Sequence, residues 1–375
     1  MKVLLVGNYS SDKQQSMQRF ADMMSQGLRQ LGHETRVIKP EAIAGKVVNS
    51  RSRFAKWFGY IDKMLLFPRQ LRKALKWADV VHICDHSNSI YTSQLRRKPH
   101  VVTCHDLLAV RGALGQDTDC PASMTGKVLQ RWILRGLKRA QAVVCDSDFT
   151  RKDLEDLIEP PKRPRVDVVL LGLNHSYRVI DSQECARRLA AFSHLDTARP
   201  FVLTVGSSLK RKNREGVLRI FNRTKDQWDA QLVFAGSPLD EEQSKLVNDL
   251  GLSQRVLHVE PDNDLLEALY NRATALIFPS KFEGFGWPII EAQACGCPVV
   301  CSDRCSLPQV ASDSAVVLDI KDEDGFARAL LQMNQHGERE KWARRGFENL
   351  ARFSTSEMVQ SYLRVYEELQ VNCRS

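Results

Sequence analysis

The chain lacks any long apolar run. Nothing in its 375 residues approaches the roughly 20 consecutive apolar residues of a membrane-spanning helix, so a helical membrane-spanning class is not indicated. The opening Met1-Lys2, followed by Val3-Leu4-Leu5-Val6 and Gly7-Asn8, is too short an apolar run for a signal peptide and reads as a first strand. Paired C-x-x-C spacing is also missing. The ten cysteines are scattered without a secretory context, which predicts reduced thiols in the cytoplasm. Cys295, Cys297, Cys301 and Cys305 crowd together, but their spacing suits small apolar packing residues beside strands better than a metal site. The first loop, Gly7 to Ser16, lacks G-x-G-x-x-G, which argues against a dinucleotide site there. Acidic residues are the minority: 45 Asp and Glu stand against 54 Lys and Arg, a net charge of +9. That balance favours anionic partners, whether nucleotide phosphates, acidic glycans, anionic lipid or nucleic acid, without choosing among them.

What is present is a double series of short apolar runs. Strands are read at Val3–Val6, Thr35–Ile38, Val80–Cys84, His100–Cys104, Ala142–Cys145 and Val166–Leu170, and the first helix carries Met17, Phe20, Ala21, Met24, Leu28 and Leu31 at helical spacing until Gly32. A second series runs through Phe201–Val205, Gln231–Ala235, Arg255–Val259, Ala275–Phe278, Pro298–Cys301 and Ala315–Leu318. Strands alternating with helices predict parallel sheets covered on both faces, an α/β architecture of two Rossmann-like domains. The length accommodates two such cores. The expected division is 1–174, a linker over 175–200 where the periodicity fades, 201–353, and a terminal helix over 354–375 carrying Val359, Tyr362, Leu363, Tyr366 and Leu369.

Two strand-to-helix loops of the second series look like ligand cradles. In PSKFEGFGWPIIEAQACGCPVV, Gly284 and Gly286 allow close backbone approach and Pro288 opens a helix over Ile289–Cys295, whose first turn offers unpaired N–H groups to a phosphate. Glu283 lies in the loop and Glu291 in that first turn, where carboxylates accept bonds from sugar hydroxyls. Taken singly, each has a plain reading, Glu291 as a carboxylate favoured by the helix dipole and Glu283 as an exposed loop acid. In GSSLKRKNREG, Gly206 ends a strand, and Lys210, Arg211 and Lys212 precede a helix, aiming cations at a diphosphate; the plain reading is a solvated basic turn.

As one string, Glu283 to Glu291 with FGWP between resembles the E-x7-E signature of retaining nucleotide-sugar glycosyltransferases of family 4. CSDRCSLPQV is similar too, with Gln309 where that family usually has Glu; Lys212-Asn213 resembles the family's lysine, and Ser207 stands where its arginine is often found. The resemblance implies the GT-B fold, two Rossmann-like domains facing across a cleft, and transfer of a sugar from a nucleoside diphosphate to a saccharide or lipid-linked saccharide, in polysaccharide or glycolipid synthesis, without cofactor or metal. It implies a donor-binding set of Gly206, Arg211, Lys212, Glu283, Gly284, Phe285, Gly286 and Glu291. Lys212 and Arg211 would help the diphosphate depart, Glu291 would bind ribose and Glu283 the sugar. His105, written His105-Asp106 at the end of the fourth strand, resembles the family's HD motif and would approach the reacting sugar, so the implied catalytic group is His105, Lys212 and Glu283. The last helix would cross back onto the N-terminal domain.

Two rivals stay open at this point. A sugar-nucleotide epimerase shares the fold but needs an acid and a base, and no extra pair is evident. A non-enzymatic basic protein that binds nucleic acid or membrane would leave the cradle unexplained, and no nucleic-acid partner is expected. Asp146-Ser147-Asp148 follows a strand in the D-x-D form that can hold a metal, but Asp117-Thr118-Asp119 and Asp322-Glu323-Asp324 repeat it, and Ser147 or Asp148 reads better as a helix cap. In Lys46 to Lys76, Phe54, Trp57, Phe58, Ile61 and Leu65 recur at helical spacing, and Arg69, Arg72, Lys73 and Lys76 line a second helix begun by Pro68, with only Asp62 opposed to them. This predicts either a peripheral segment at the anionic inner leaflet of the membrane or a helix pair covering the N-terminal sheet.

Overall fold

The structure, a computed structural model, describes residues 1–9, 15–41, 59, 61–116 and 118–373. The chain divides into two compact units, residues 1–174 with 355–375, and residues 175–354. Each is built on a six-stranded, wholly parallel sheet.

In the first unit the strands are β1 (Lys2–Val6), β2 (Glu34–Ile38), β3 (Val80–Ile83), β4 (His100–Cys104), β5 (Ala142–Cys145) and β6 (Arg165–Val168), in the order β2-β1-β3-β4-β5-β6. In the second they are β7 (Phe201–Gly206), β8 (Gln231–Gly236), β9 (Val256–Val259), β10 (Ala275–Phe278), β11 (Val299–Ser302) and β12 (Val316–Leu318), in the order β12-β11-β10-β7-β8-β9. Every strand read in the sequence is present, because strands covered on both faces are continuous apolar runs: β3, β4, β5, β10 and β11 are buried at every position. Helices complete the cores, with Phe67, Tyr91, Leu134 and Leu137 against the first sheet and Phe221, Phe326 and Leu330 against the second.

Two expectations change. Residues 175–200 are no bare linker: a helix over Ser182–Leu189, capped by Asp181, buries Cys185 and Leu189 and belongs to the second unit. Arg188 holds Glu267 of the Asn263–Arg272 helix at 2.7 Å. Only two buried side chains mark this helix, too few for a visible period. The helix after β10 begins earlier than read, at Trp287, and runs to Ala294, because Gly286 at φ 110° breaks the chain and Pro288 lies in the first turn. Glu291 therefore sits beyond that turn. The Thr355–Asn372 helix packs in the first unit with Met358, Val359, Tyr362, Val365, Tyr366 and Leu369 buried.

Of the 46–76 segment, Lys46, Phe54, Trp57 and Phe58 lie outside the described residues. A π-helical stretch, Asp62–Leu66, leads into a helix over Phe67–Ala74, which buries Phe67, Pro68 and Leu71. Asp62 is buried and accepts the Tyr9 hydroxyl at 3.1 Å, so it does not oppose the outward cations. Ile61 and Leu65 are exposed. Among the described residues no helix is long and apolar enough to cross a membrane.

Candidate functional site

The second sheet reverses its winding between β7 and β10, since β8 and β9 extend it one way and β11 and β12 the other. Open parallel sheets take ligands outside the strand C-terminal ends at such a reversal. Both cradle loops are there. After β7, Gly206 adopts φ 139°, and Asn213 takes a left-handed conformation where the next helix starts, its Nδ2 donating to the Pro279 carbonyl at 3.1 Å. The Lys281 N–H donates to the Arg211 carbonyl at 2.7 Å, which ties the two loops together. Ser306 Oγ donates to the Glu283 and Phe285 carbonyls at 2.9 and 2.8 Å, fixing the glycine loop from beneath. Gly286 cannot be replaced cheaply: besides its positive φ, an added Cβ would lie 2.8 Å from Leu307 Cδ2.

Glu283 is the centre of the charge arrangement. Its Oε1 accepts from Lys212 Nζ at 2.6 Å and its Oε2 from Arg211 Nη1 at 3.0 Å. Burial alone would raise its carboxyl, but Lys212 and Arg211 outweigh burial and hold it below the ordinary glutamate range. Burial pushes the Lys212 ammonium below the ordinary lysine value against the pull of Glu283, and Arg211 adds to the fall. Lys212 also lies over the Phe278 ring, 4.9 Å from its centroid. Glu291 is buried, with Oε2 accepting from the Tyr270 hydroxyl at 2.9 Å, so it is no surface carboxylate at a helix start. Phe285 is buried edge-on to Phe353, while Gly206, Gly284 and Gly286 supply backbone rather than side chain. The structure thus brings Gly206, Arg211, Lys212, Glu283, Gly284, Phe285, Gly286 and Glu291 to one end of one sheet.

Two residues here escaped the sequence reading. Arg214, buried in the first turn of its helix, donates to the Gly206 carbonyl at 2.8 Å and the Pro238 carbonyl at 3.1 Å, holding the β7 loop. Tyr270, on the Asn263–Arg272 helix and outside any motif, orients Glu291. Only the cationic run KRKNR pointed toward the first, and nothing pointed toward the second.

His105 lies in the first unit, after β4. It is buried; Nδ1 pairs with Asp146 and Nε2 donates to the Cys84 carbonyl at 2.9 Å. Burial opposes its charge, but Asp146, helped by Asp85, prevails and raises its pKa to about 9. Asp85, after β3, accepts from Asn8 after β1 and from Ser87 Oγ at 2.6 Å, and pairs with His86 at 3.0 Å. These groups mark the reversal of the first sheet, between β1 and β3. Asp146 is thus the partner of His105. Ser147 caps the Asp148–Leu157 helix, and Asp148 pairs outward with Arg151. Asp322 caps the Glu323–Met333 helix, and Asp117 lies outside the described residues. Among the described residues no three His, Cys, Asp or Glu side chains are placed to share a metal ion.

The model of glycosyl transferases group 1 matches residues 187–349, and that of glycosyltransferase family 4 matches 17–176. The chain is a group 1 glycosyltransferase. This glycosyltransferase is 28% identical over 321 residues to the O-antigen chain mannosyltransferase B of Escherichia coli, covering 81% of this chain and 79% of that protein. Sucrose-phosphate synthase from Thermosynechococcus elongatus superposes with a TM-score of 0.78 at 18% identity, over 99% of this chain and 100% of that one. Anabaena HepE, solved with UDP and glucose, gives 0.74 at 14% identity, over 98% and 100%. At such identities the solved structures establish the GT-B fold alone. The enzyme is of the hexosyltransferase class.

Proposed function

We propose that this glycosyltransferase moves a hexose, with retention at the anomeric carbon and without a bound metal, from a nucleoside-diphosphate sugar to a saccharide or lipid-linked saccharide. The observation that carries the reading is the fork of Lys212 and Arg211 on Glu283 at the reversal of the second sheet. Transfer breaks the bond from the anomeric carbon to the diphosphate oxygen and makes one to an acceptor oxygen, whose proton leaves with the nucleoside diphosphate or to water. Charge builds on the diphosphate as it departs, and preset cations and amides offset it without reorganising. Lys212, Arg211 and the backbone N–H groups of Gly284 to Gly286 serve that role; Glu283 and Glu291 accept sugar and ribose hydroxyls. His105 contributes a fixed positive charge, because both of its N–H groups are already donated within the first unit. The names of the Escherichia coli and Anabaena proteins, an O-antigen mannosyltransferase and a complex with UDP and glucose, support a nucleotide donor and a glycan product. The basic stretch ending at Lys76 docks the enzyme at the anionic cytoplasmic face of a membrane, where a lipid-linked acceptor resides.

The test is a thermal-shift screen of nucleoside diphosphates and their sugars on wild type and Lys212→Ala. The variant is expected to lose about 1.5–3 kcal/mol of binding or transition-state free energy. Transfer is expected to persist in EDTA. Unchanged diphosphate affinity in Lys212→Ala, or activity abolished by chelation and restored by magnesium or manganese, refutes the assignment.

A further inference from the structure

A cavity of about 600 Å³ lies wholly within the second unit, at the end of its sheet away from the cradle loops. Thr197, Arg272 and Cys295 on its wall precede β7, β10 and β11, whereas Gly206 and Glu283 stand at the other ends of β7 and β10. Its size is within the roughly 300–1,000 Å³ of small-molecule sites. Most of the wall is apolar: Ile180 and Leu189 on one side, Ala343 and Phe347 of the Glu338–Leu350 helix on another, with Val179 and Phe347 as much as 59% and 44% exposed. Gly296 keeps the space open, since at φ 66° it has no side chain, and an added Cβ would lie 3.3 Å from Phe347 Cζ. Two guanidiniums enter this wall. Arg272 donates to the Thr197 carbonyl at 2.9 Å, and Arg339 to the Asn271 carbonyl at 2.6 Å and to the Ala273 carbonyl. Each guanidinium has five N–H donors, so most of theirs are left over. Among the described residues neither arginine is paired with a carboxylate, and Glu340, the one carboxylate of the lining, is exposed.

A sugar or a nucleoside would need polar side chains to read its hydroxyls, and Asn271, the amide of the wall, is already spent. Its Nδ2 donates to the Arg178 and Glu267 carbonyls, both at 2.9 Å, and its Oδ1 accepts from the Ile180 N–H at 3.0 Å. Apolar walls with two cations suit instead a small amphipathic anion, a hydrocarbon body carrying one phosphate or carboxylate. Two helices reach from this wall toward the donor loop. The Asn263–Arg272 helix ends on the wall with Asn271 and Arg272 and carries Tyr270 beside them. The Trp287–Ala294 helix, about 12 Å long, starts at the glycine loop, carries Glu291 and runs out into Cys295 and Gly296 on the wall. The hydrogen bond from Tyr270 to Glu291, 2.9 Å, joins the two helices. We infer that this cavity is an effector site for a small amphipathic anion, whose binding changes donor affinity through the Tyr270–Glu291 pair. The effect on the donor rests on the reading of Glu291 as a donor-binding group; occupation of the cavity does not.

Octyl phosphate and octanoate, below their micellar concentrations, are titrated calorimetrically into the full chain beside octanol and inorganic phosphate. At least one of the two amphipathic anions is expected to bind at a single site, and both controls at least about tenfold more weakly; the tighter anion tells phosphate from carboxylate. Arg272→Gln, at an exposed position, is expected to weaken that anion at least about tenfold and leave octanol unchanged. Ala186→Trp, exposed on the same wall, is expected to abolish binding by filling the cavity. Thermal unfolding checks that both variants fold. Binding should slow amide exchange at 268–272 and 290–296 and shift the affinity for a nucleoside diphosphate at least about fivefold, and Tyr270→Phe should cancel that shift while keeping the anion bound. Octanol binding as tightly as the anions, anion binding unaltered in both cavity variants, or anion binding with no change in nucleoside diphosphate affinity overturns the inference. If no nucleoside diphosphate binds at all while the anion still slows exchange at 290–296, the donor reading falls and the anion site stands.

Discussion

Lys212 and His105 are both buried cations, yet burial ends differently for them. Burial pushes the Lys212 pKa down, and Glu283, which Lys212 shares with Arg211, does not restore it. His105 pairs with Asp146, with Asp85 adding attraction, and together they outweigh burial so that its pKa rises to about 9. The lysine is therefore short of negative charge, which a diphosphate in the proposed site would supply; the histidine holds its proton against Asp146. A third buried group, His82, has no carboxylate partner: Nδ1 accepts the Tyr366 hydroxyl at 2.7 Å, Nε2 meets Thr103 Oγ1 at 2.7 Å, and burial drops its pKa to about 3. The two histidines give opposite limbs of stability against pH. Unfolded, both titrate near 6.5. For His82 the folded value is lower, so the unfolded chain binds the extra proton and stability falls as pH drops from 6.5 toward 3. For His105 the folded value is higher, so stability is complete below 6.5 and is lost as pH rises through 9. Each limb has a slope of at most about 1.4 kcal/mol per pH unit. Unfolding free energy measured by urea across pH 4 to 10 should show both. Asp146→Asn should flatten the alkaline limb and leave the acid one; an unchanged alkaline limb would show that the ion pair does not set the His105 proton.

At the scale of elements, the Thr355–Asn372 helix packs closely within the first unit. Tyr362 donates to or accepts from Thr103 Oγ1 at 2.8 Å and stacks on His82, with 4.9 Å between centroids. Val359 comes so close to the Gln15–Gln30 helix that an added Cβ on Gly27 would lie 2.6 Å from Val359 Cγ2. Gly27 is thus small because a second helix passes over it, not because of its backbone angles. Gly27→Ala should cost about 1–3 kcal/mol by overpacking, despite the better helix propensity of alanine. Val359→Ala should give back most of that cost in the double variant, a coupling that urea denaturation of the four proteins would measure. Additive losses would mean that the helices slide apart instead. This crossing explains why some elements were legible in sequence and others not. Strands such as Val80–Ile83 announce themselves as apolar runs, and the final helix by Val359, Tyr362 and Tyr366. The Ser182–Leu189 helix buries only Cys185 and Leu189.

For the molecule as a whole, the two sheets share a plan but not a chemistry. Each reverses its winding once, between β1 and β3 in one unit and between β7 and β10 in the other. At the first reversal the side chains are Asp85, His86, His105 and Asp146, whose charges are paired among themselves. At the second they are Arg211, Lys212 and the buried Arg214, against Glu283 and Glu291, with helix starts and a glycine loop beside them. The motif string of the second cluster is legible in sequence because its glycines and carboxylates are contiguous. Strand order, Arg214, Tyr270 and Asp146 were not legible, since each depends on which strands lie side by side. Cations in excess over their partners belong with a diphosphate, so ligand protection should fall on one unit. With a nucleoside diphosphate at about 100 times its dissociation constant, amide exchange governed by opening of the bound loops should slow about 100-fold. The slowing should map to residues 206–216 and 279–291, while the backbone at 84–88 and 105–108 keeps its rate. Protection at 84–88 instead would place the diphosphate on the histidine cluster of the first unit, and Lys212→Ala should then leave the exchange map of the bound enzyme unaltered.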